Sequence, residues 1–458
     1  MIDTRSSYDE FLSSRTPSAK DIGFSPVEML PCMSGFRAHV ADICVRRGRS
    51  AAFLDTGLGK TSVELEFARQ CRIKTGKPSL ILTPLAVARQ MEREAKKFGY
   101  DAMVFRDQMP QNDIVICNYD RLHLVDISLF GSVVLDESSI LKNFSGKTTD
   151  ALISSFKNTP YKLCATATPA PNDHMELGTH AEFLGVMDRS RMLMRWFIND
   201  TSEASQVWRL KGHAVEPFWD WVASWAVMAK SPEDLGFDGS DFILPKLHIH
   251  RHRVNAEVIA TDGLFGFNTS ASGIYEIKRQ TAEKRVSITS EIVSSKNNEA
   301  WVVWCDTDME SSALMKSLGS DDFVEVKGSM DAQKKENALE DFAVGKKRGI
   351  VTKSSVAGSG LNWQHAAHVV FVGRTFSYEA WYQAVRRCWR FGQKREVHVH
   401  IIVSEGEDQI GRVLDRKADD HGTMQSAMVA AQRRSKSVMH TERNICNPTF
   451  KGTIPTWL

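Results

Sequence analysis

The chain has 458 residues, enough for two to four domains with a large core, and its 42% hydrophobic and 25% charged content is ordinary for a soluble globular protein. A formal net charge of +2 excludes a global basic signature, so any nucleic-acid contact has to come from local positive patches. Eight scattered cysteines with no Cys-x-x-Cys pair argue against a disulfide scaffold and against a zinc cluster; no apolar signal core opens the chain and no run approaches a membrane span, so a cytoplasm-like compartment is expected.

Residues 1–35 carry Ser, Pro and Gly breakers and read as a partly ordered lead-in. Phe36 to Arg47 predicts a helix with Val40, Ile43 and Cys44 on one face, and Arg46-Arg-Gly-Arg49 then turns the chain into a strand. That strand opens Ala51-Ala-Phe-Leu-Asp-Thr-Gly-Leu-Gly-Lys-Thr61, an apolar run, a loop with two glycines, then Lys60, Thr61 and a helix-like stretch. Glycines let backbone N–H groups turn inward on a phosphate, and the helix start adds positive partial charge. The loop residues Thr56, Gly57, Leu58 and Gly59 are therefore expected at a nucleotide, with Lys60 on the β/γ oxygens and Thr61 on Mg²⁺. Leu54 stands where the first Gly of the common phosphate loop would be. Arg37 and His39 are the polar candidates for adenine upstream.

Apolar strands then recur between helical stretches: Pro78 to Leu85, Asp113 to Tyr119, Ser132 to Ser139 and Lys162 to Pro169. This rhythm implies βαβ units and a parallel sheet, whose ligand chemistry sits beyond the carboxyl ends of the strands. Those ends carry Thr83, Asn118, the pair Asp136-Glu137, and Thr166 and Thr168. Asp136 suits Mg²⁺, and Glu137, pointing elsewhere, suits the attacking water. Residues 185–245 break the rhythm. Phe218, Trp221 and Trp225 share one helix face, which predicts packing more than base stacking, while Arg191, Arg195, Arg209, Lys211 and His213 offer a phosphate-facing side. His248, His250 and His252 alternate as on a strand; three imidazoles on one face suit a metal, but no Cys or carboxylate shares their spacing. Gly263 to Ser272 reads as a loop and Ile274 to Ser294 as a charged helix.

The second half repeats the alternation from Glu299 to Cys305, through Phe323 to Gly328, Arg348 to Thr352 and Val369 to Val372, without a second phosphate loop. Small residues in Val356-Ala-Gly-Ser-Gly-Leu-Asn362 allow close backbone approach to a phosphate. In Tyr382-Gln-Ala-Val-Arg-Arg-Cys-Trp-Arg-Phe-Gly-Gln393, Arg387 and Arg390 share a helix face, and their planar forks suit a γ-phosphate held by the other half. The stretch Gln432-Arg-Arg-Ser-Lys-Ser opens a basic tail, expected to be flexible or to touch nucleic acid.

From about residue 36 to 405 these motifs, in this order, resemble the superfamily-two helicase/translocase ATPases of the Swi/Snf-type branch, and more closely its short phage- and prophage-encoded members. The resemblance implies an α/β fold of two RecA-like parallel-sheet lobes in tandem, with a helical insertion projecting from the first. The layout expected is a lead-in at 1–35, a first lobe at 36–250 with the insertion at about 185–245, a second lobe at 251–430 and a basic tail at 431–458. It implies a DNA-stimulated ATPase using ATP and Mg²⁺ in the cytoplasm of a bacterium or phage-infected host, monomeric, with duplex DNA as the favoured partner and single strands or RNA as alternatives. Catalysis is expected from Lys60, Asp136, Glu137, Arg387 and Arg390, with Gly358 and Gln383 also at the nucleotide. Nucleic acid is expected at Thr83, Pro84, Asn118, Tyr119, Lys142, Asn143, Ser359, Gly360 and Asn362. Ser138 and Ser139 stand where Ala and His are usual, no adenine-reading Gln is present, and Arg386 replaces the usual Asp, its direction left open. A strand-separating helicase and a nucleotide-gated DNA-binding adaptor are the alternative functions.

Overall fold

The computed structural model describes residues 18–33, 35–106, 108–200, 207–255, 277–358, 360–373, 375–404 and 407–445. The expected loop at 263–272 and Ser359 lie outside them.

The apolar runs become two parallel sheets. The first contains β1 (Arg49–Leu54), β2 (Ser79–Thr83), β3 (Ala102–Val104), β4 (Ile114–Asn118), β5 (Ser132–Asp136) and β6 (Tyr161–Ala165). A hairpin of β7 (Phe197–Asp200) and β8 (Val207–Leu210) follows, and β9 (Ala226–Ala229) returns to the sheet, whose order is β3-β4-β2-β5-β6-β1-β9. The second sheet is built from β10 (Leu247–Val254), β11 (Trp301–Cys305), β12 (Phe323–Val326), β13 (Gly349–Lys353), β14 (His368–Phe371) and β15 (Val397–Ser404), in the order β10-β15-β14-β11-β13-β12. Both sheets are covered on each face by helices, so their central strands are apolar throughout, the usual state of buried parallel strands.

Three expectations about layout are refined. First, the aromatic helix of the stretch at 185–245 packs into the first lobe, as its spacing predicts, and the stretch also supplies a strand. Phe218, Trp221 and Trp225 are fully buried in the core beside β1, and β9 adds an edge strand to the first sheet. Large apolar faces of this kind drive the helix Val215–Trp225 inward. Lys211, expected on a phosphate-facing side, instead donates to the carbonyls of Met194 and Arg195, at 3.0 Å each.

Second, the boundary expected at residue 250 cuts through β10. All eight residues of that strand pair with β15, so the second lobe begins at Leu247. Third, the basic stretch after 430 continues a helix as far as residue 445. That helix, Asp408–Ile445, leaves the second sheet and docks on the first lobe through Met424, Met428 and Ala431. Gln432 there caps the outer edge of β9, donating to the Met228 carbonyl at 3.0 Å and accepting from its N–H at 3.2 Å. Arg434 pairs with Asp220 at 2.6 Å.

Candidate active site between the lobes

β1 ends in the phosphate-type loop, where Gly57 and Gly59 hold φ of 91° and 83°, a region that disfavours a side chain. The helix Lys60–Thr75 starts directly after Gly59, so Lys60 and Thr61 occupy its first turn. Lys60 Nζ donates to the Leu54 carbonyl at 3.0 Å, curling over the loop. Removal from water lowers its affinity for a proton, while Glu137, Asp55, Glu64 and Asp136 oppose that by their charge. Leu58 turns its side chain into the core, and Arg37 lies over Gly59, where a Cβ would meet Arg37 Cδ at 2.7 Å.

Asp136 ends β5 and is buried. Its Oδ2 accepts from Thr83 Oγ1 at 2.6 Å, and its carbonyl accepts from the Tyr119 hydroxyl at 2.7 Å. Burial and the adjacent Glu137 push Asp136 up to about 7, against the pull of the Thr83 bond and Lys60. Glu137 is the only non-glycine residue with positive φ among the described residues, at 51°. A strand-end residue in that strained region swings its side chain away from the alternation of the strand. Its Oε2 accepts from Thr166 Oγ1 at 3.3 Å. Ser138, in place of the usual Ala, meets His180 Nε2 at 3.2 Å, and burial drops His180 to about 4.

The second lobe reaches across through the helix Tyr378–Val385 and the turn after it. Gln383 Nε2 lies 3.4 Å from both Glu137 Oε2 and Thr168 Oγ1. Arg386 is buried and bonds Asp55 at 2.8 Å and the Thr56 carbonyl at 3.1 Å, while the Tyr382 hydroxyl donates to Asp55. The direction left open by the sequence is thus toward the phosphate-type loop, not DNA or solvent. Arg387 is buried and donates to Gln383 and Leu361 carbonyls at 2.8 and 3.0 Å; burial lowers its basicity, and Glu137 and Asp136 are among the charges that offset this. Arg390 donates to the same Leu361 carbonyl at 3.3 Å, and burial, with Arg387 nearby, lowers it to about 10.

Of the residues expected at nucleic acid, Pro84, Tyr119 and Lys142 line an interlobe cleft of about 460 Å³ that also exposes Glu137, Lys335 and Val356. The set makes these contacts within the protein. Thr83 is fully buried against Asp136, because a hydroxyl at a strand end beside a carboxylate bonds it in preference to facing solvent. Asn118 caps the turn after β4 by accepting from the Arg121 N–H at 2.9 Å. Lys142 pairs across the lobes with Glu379. Asn143 accepts from the Ser145 N–H at 3.3 Å. Gly360 packs on the first lobe, where a Cβ would lie 1.9 Å from Val87, and Asn362 N–H donates to Gln90 at 3.2 Å. Gly358 closes a short helix by donating to the Ser354 carbonyl at 2.9 Å, so its small size serves that turn.

The sequence reading missed Tyr382, His180 and Glu64. Glu64 sits one helical turn after Lys60, fully buried, with neither carboxylate oxygen hydrogen-bonded, and burial beside Asp136 raises it well above the carboxylate range. Its spacing of four from Lys60 was the available signal.

Residues 283–392, most of the second lobe, match the helicase conserved C-terminal domain. The chain is 23% identical over 445 residues to a putative ATP-dependent helicase/translocase, YwqA, of Bacillus subtilis, covering 84% of this chain and 46% of that protein. It is 35% identical over 95 residues to the ATP-dependent helicase ULS1 of Saccharomyces cerevisiae, covering 20% of this chain and 6% of that one. The chain thus spans less than half the length of these relatives. Among solved structures, the SWI2/SNF2 ATPase core of Sulfolobus solfataricus in complex with dsDNA aligns with a TM-score of 0.41 and 18% identity, over 90% of this chain and 96% of that one. Among the described residues no helix is long and apolar enough to cross a membrane, and seven cysteines are free thiols.

Proposed function

We propose that the chain is an ATP-driven nucleic-acid motor, a DNA-stimulated ATPase that translocates on or remodels duplex DNA. One observation carries this reading. Gln383, Arg386 and Arg387, held by the second sheet, converge on the phosphate-type loop and the Asp136-Glu137 pair, held by the first. Cations from one body meeting acids and a phosphate loop from another make a site that is complete only when the two bodies are together.

In this reading the loop amides and Lys60 bind the triphosphate. The hard oxygen donors of Asp136 and Thr61 fit Mg²⁺, which supplies charge neutralisation at the phosphates when bound. Glu137, bracketed by Thr166 and Gln383, orients and deprotonates water. Arg387 and Arg390 stabilise charge on the γ-phosphate. Nucleic acid lies in the cleft by Pro84, Tyr119, Lys142 and Lys335, so a change in lobe separation changes the grip. Lys142, paired with Glu379 in the closed form, becomes available to a backbone phosphate when the lobes part.

The test is ATP hydrolysis with duplex DNA, single-stranded DNA or RNA added, at rising salt. Stimulation by duplex that fades with salt supports the reading. Stimulation by single strands alone moves the assignment to a strand-separating helicase. Turnover indifferent to every nucleic acid removes the motor.

A further inference from the structure

The far end of the second lobe holds a cluster that the nucleotide cleft does not use. β10 and β15 run parallel and in register, with His248 opposite His398 and His250 opposite His400. His368 of β14 is opposite His398 in turn. Paired residues of a parallel ladder point to the same face, and residues two apart do as well. Five imidazoles of β10 and β15, His248, His250, His252, His398 and His400, therefore stand on one face, with His368 beside them. His248 and His398 stack at 4.7 Å between ring centres, and so do His250 and His400. His248 and His398 are each the second residue of their strands, whereas the nucleotide cleft lies beyond strand ends.

The carboxylate that β10 lacks in sequence arrives from the residue just before β15. Glu396 Oε2 is 2.8 Å from His248 Nε2, and His250 Nε2 is 3.2 Å from His398 Nδ1. Donor atoms of His248, Glu396 and His398 all fall within 4.8 Å of one another. Donors about 2.0–2.1 Å from a tetrahedral Zn²⁺ stand about 3.3 Å apart, so side-chain rotation of about an ångström brings these donors onto one ion. The chemistry agrees. An imidazole on a sheet surface ordinarily bonds a carboxylate, a carbonyl or water, yet here one carboxylate serves a row of rings, and ring nitrogens face one another. Nitrogen facing nitrogen uses one lone pair for one proton, and a shared cation uses both lone pairs.

We propose that His248, His398 and Glu396 form a site for a borderline transition-metal ion, Zn²⁺ by its imidazole and carboxylate donors, with His250 at hand as a fourth ligand. The cysteine spacing spoke against a thiolate cluster, and this site needs none. Its role is structural. β10 is an edge strand and the first element of the second lobe after the chain leaves the first. An ion shared by β10 and the start of β15 pins that edge beyond its backbone ladder and ring stacking. The inference is independent of the proposed motor activity.

The experiment uses the full chain, without a histidine tag, stripped with a chelator and titrated with Zn²⁺ by calorimetry and with Co²⁺ by visible absorption. A single equivalent of each is expected, with the intense visible bands of tetrahedral Co²⁺, Zn²⁺ displacing Co²⁺, and a rise in melting temperature on Zn²⁺ addition. His248→Gln with His398→Gln should lose that equivalent. Glu396→Gln, at an exposed position that leaves the fold alone, should weaken binding and shrink the thermal shift. Asp136→Asn should keep both, which separates this site from the nucleotide cleft. The proposal is overturned if the wild-type chain shows no such equivalent, or if the equivalent survives the histidine and Glu396 substitutions.

Discussion

The two lobes are built alike and furnished oppositely. Each is a parallel sheet between helices, yet the first ends its strands in hydroxyls and acids, Thr83, Asp136, Glu137 and Thr166, around a phosphate-type loop. The second has no such loop. There the strand ends are gathered by a buried guanidinium, Arg285, which donates to the carbonyls of Val372 and Ile402 at 2.7 and 3.0 Å and to Ser404 Oγ at 2.9 Å. Its reactive groups are cations on the next helix and turn. The difference teaches that neither sheet holds a full site. In the proposed reading, binding chemistry belongs to the first lobe, charge completion to the second, and the contact between them decides whether the two act together.

Arg387→Ala tests that division most severely. If the second lobe only completes charge, turnover should fall by about 10³–10⁵ while nucleotide affinity changes far less. Rapid-quench hydrolysis alongside equilibrium binding of a fluorescent nucleotide separates the two quantities. Equal losses in both would mean that the second lobe binds as much as the first. Glu137→Gln tests the first lobe in the same terms. Turnover should drop by roughly 10²–10⁴ with ATP still bound, because the amide keeps the shape and loses the base. Near-normal hydrolysis would take the water-activating role from Glu137.

The contact itself is tested at Arg386 and Asp55. These are a buried cation and an acid that bond at 2.8 Å, one from each lobe. Arg386→Ala, Asp55→Asn and the double variant form a cycle, read by the distance between lobes in a fluorescence-transfer pair. A coupling of about 0.5–3 kcal/mol is expected for groups in direct contact. Strict additivity would show that the bond does not hold the lobes closed.

What the sequence disclosed follows from range. Motifs read from neighbouring residues, such as Gly57 to Thr61 or Asp136-Glu137, sit where strand-loop-helix physics puts them. The alternation of apolar runs and helices was enough for two parallel sheets. Features that depend on partners far along the chain were out of reach. Nothing near Thr83 says that its hydroxyl will face a carboxylate 53 residues on. Nothing near His248 reveals Glu396, because register between β10 and β15 is set only once both sheets form. The burial of Trp221 was legible from its spacing, but β9 was not. Four residues, Ala226–Ala229, are too short a run to announce a strand without the sheet edge they join.

The C-terminal helix offers the smallest and most local way to sharpen the comparison. It starts in the second lobe and ends on the first, so it joins the two by a second route that bypasses the cleft. Its polar anchor is Gln432, whose amide both donates to and accepts from the backbone of Met228, a buried residue of an edge strand that has no neighbouring strand on that side among the described residues. An edge strand with its N–H and C=O met by a side chain is protected from both water and unwanted pairing. Gln432→Ala removes those bonds without touching Met424 or Met428, so the helix stays docked by its apolar side. The expected cost is about 1 kcal/mol, confined to β9. Amide exchange at Met228 should then quicken by about fivefold, while β5 and β6 stay protected. Exchange that quickens across the whole first sheet would show that the helix stabilises the lobe as a unit; no change at Met228 would show that the amide pair contributes nothing there.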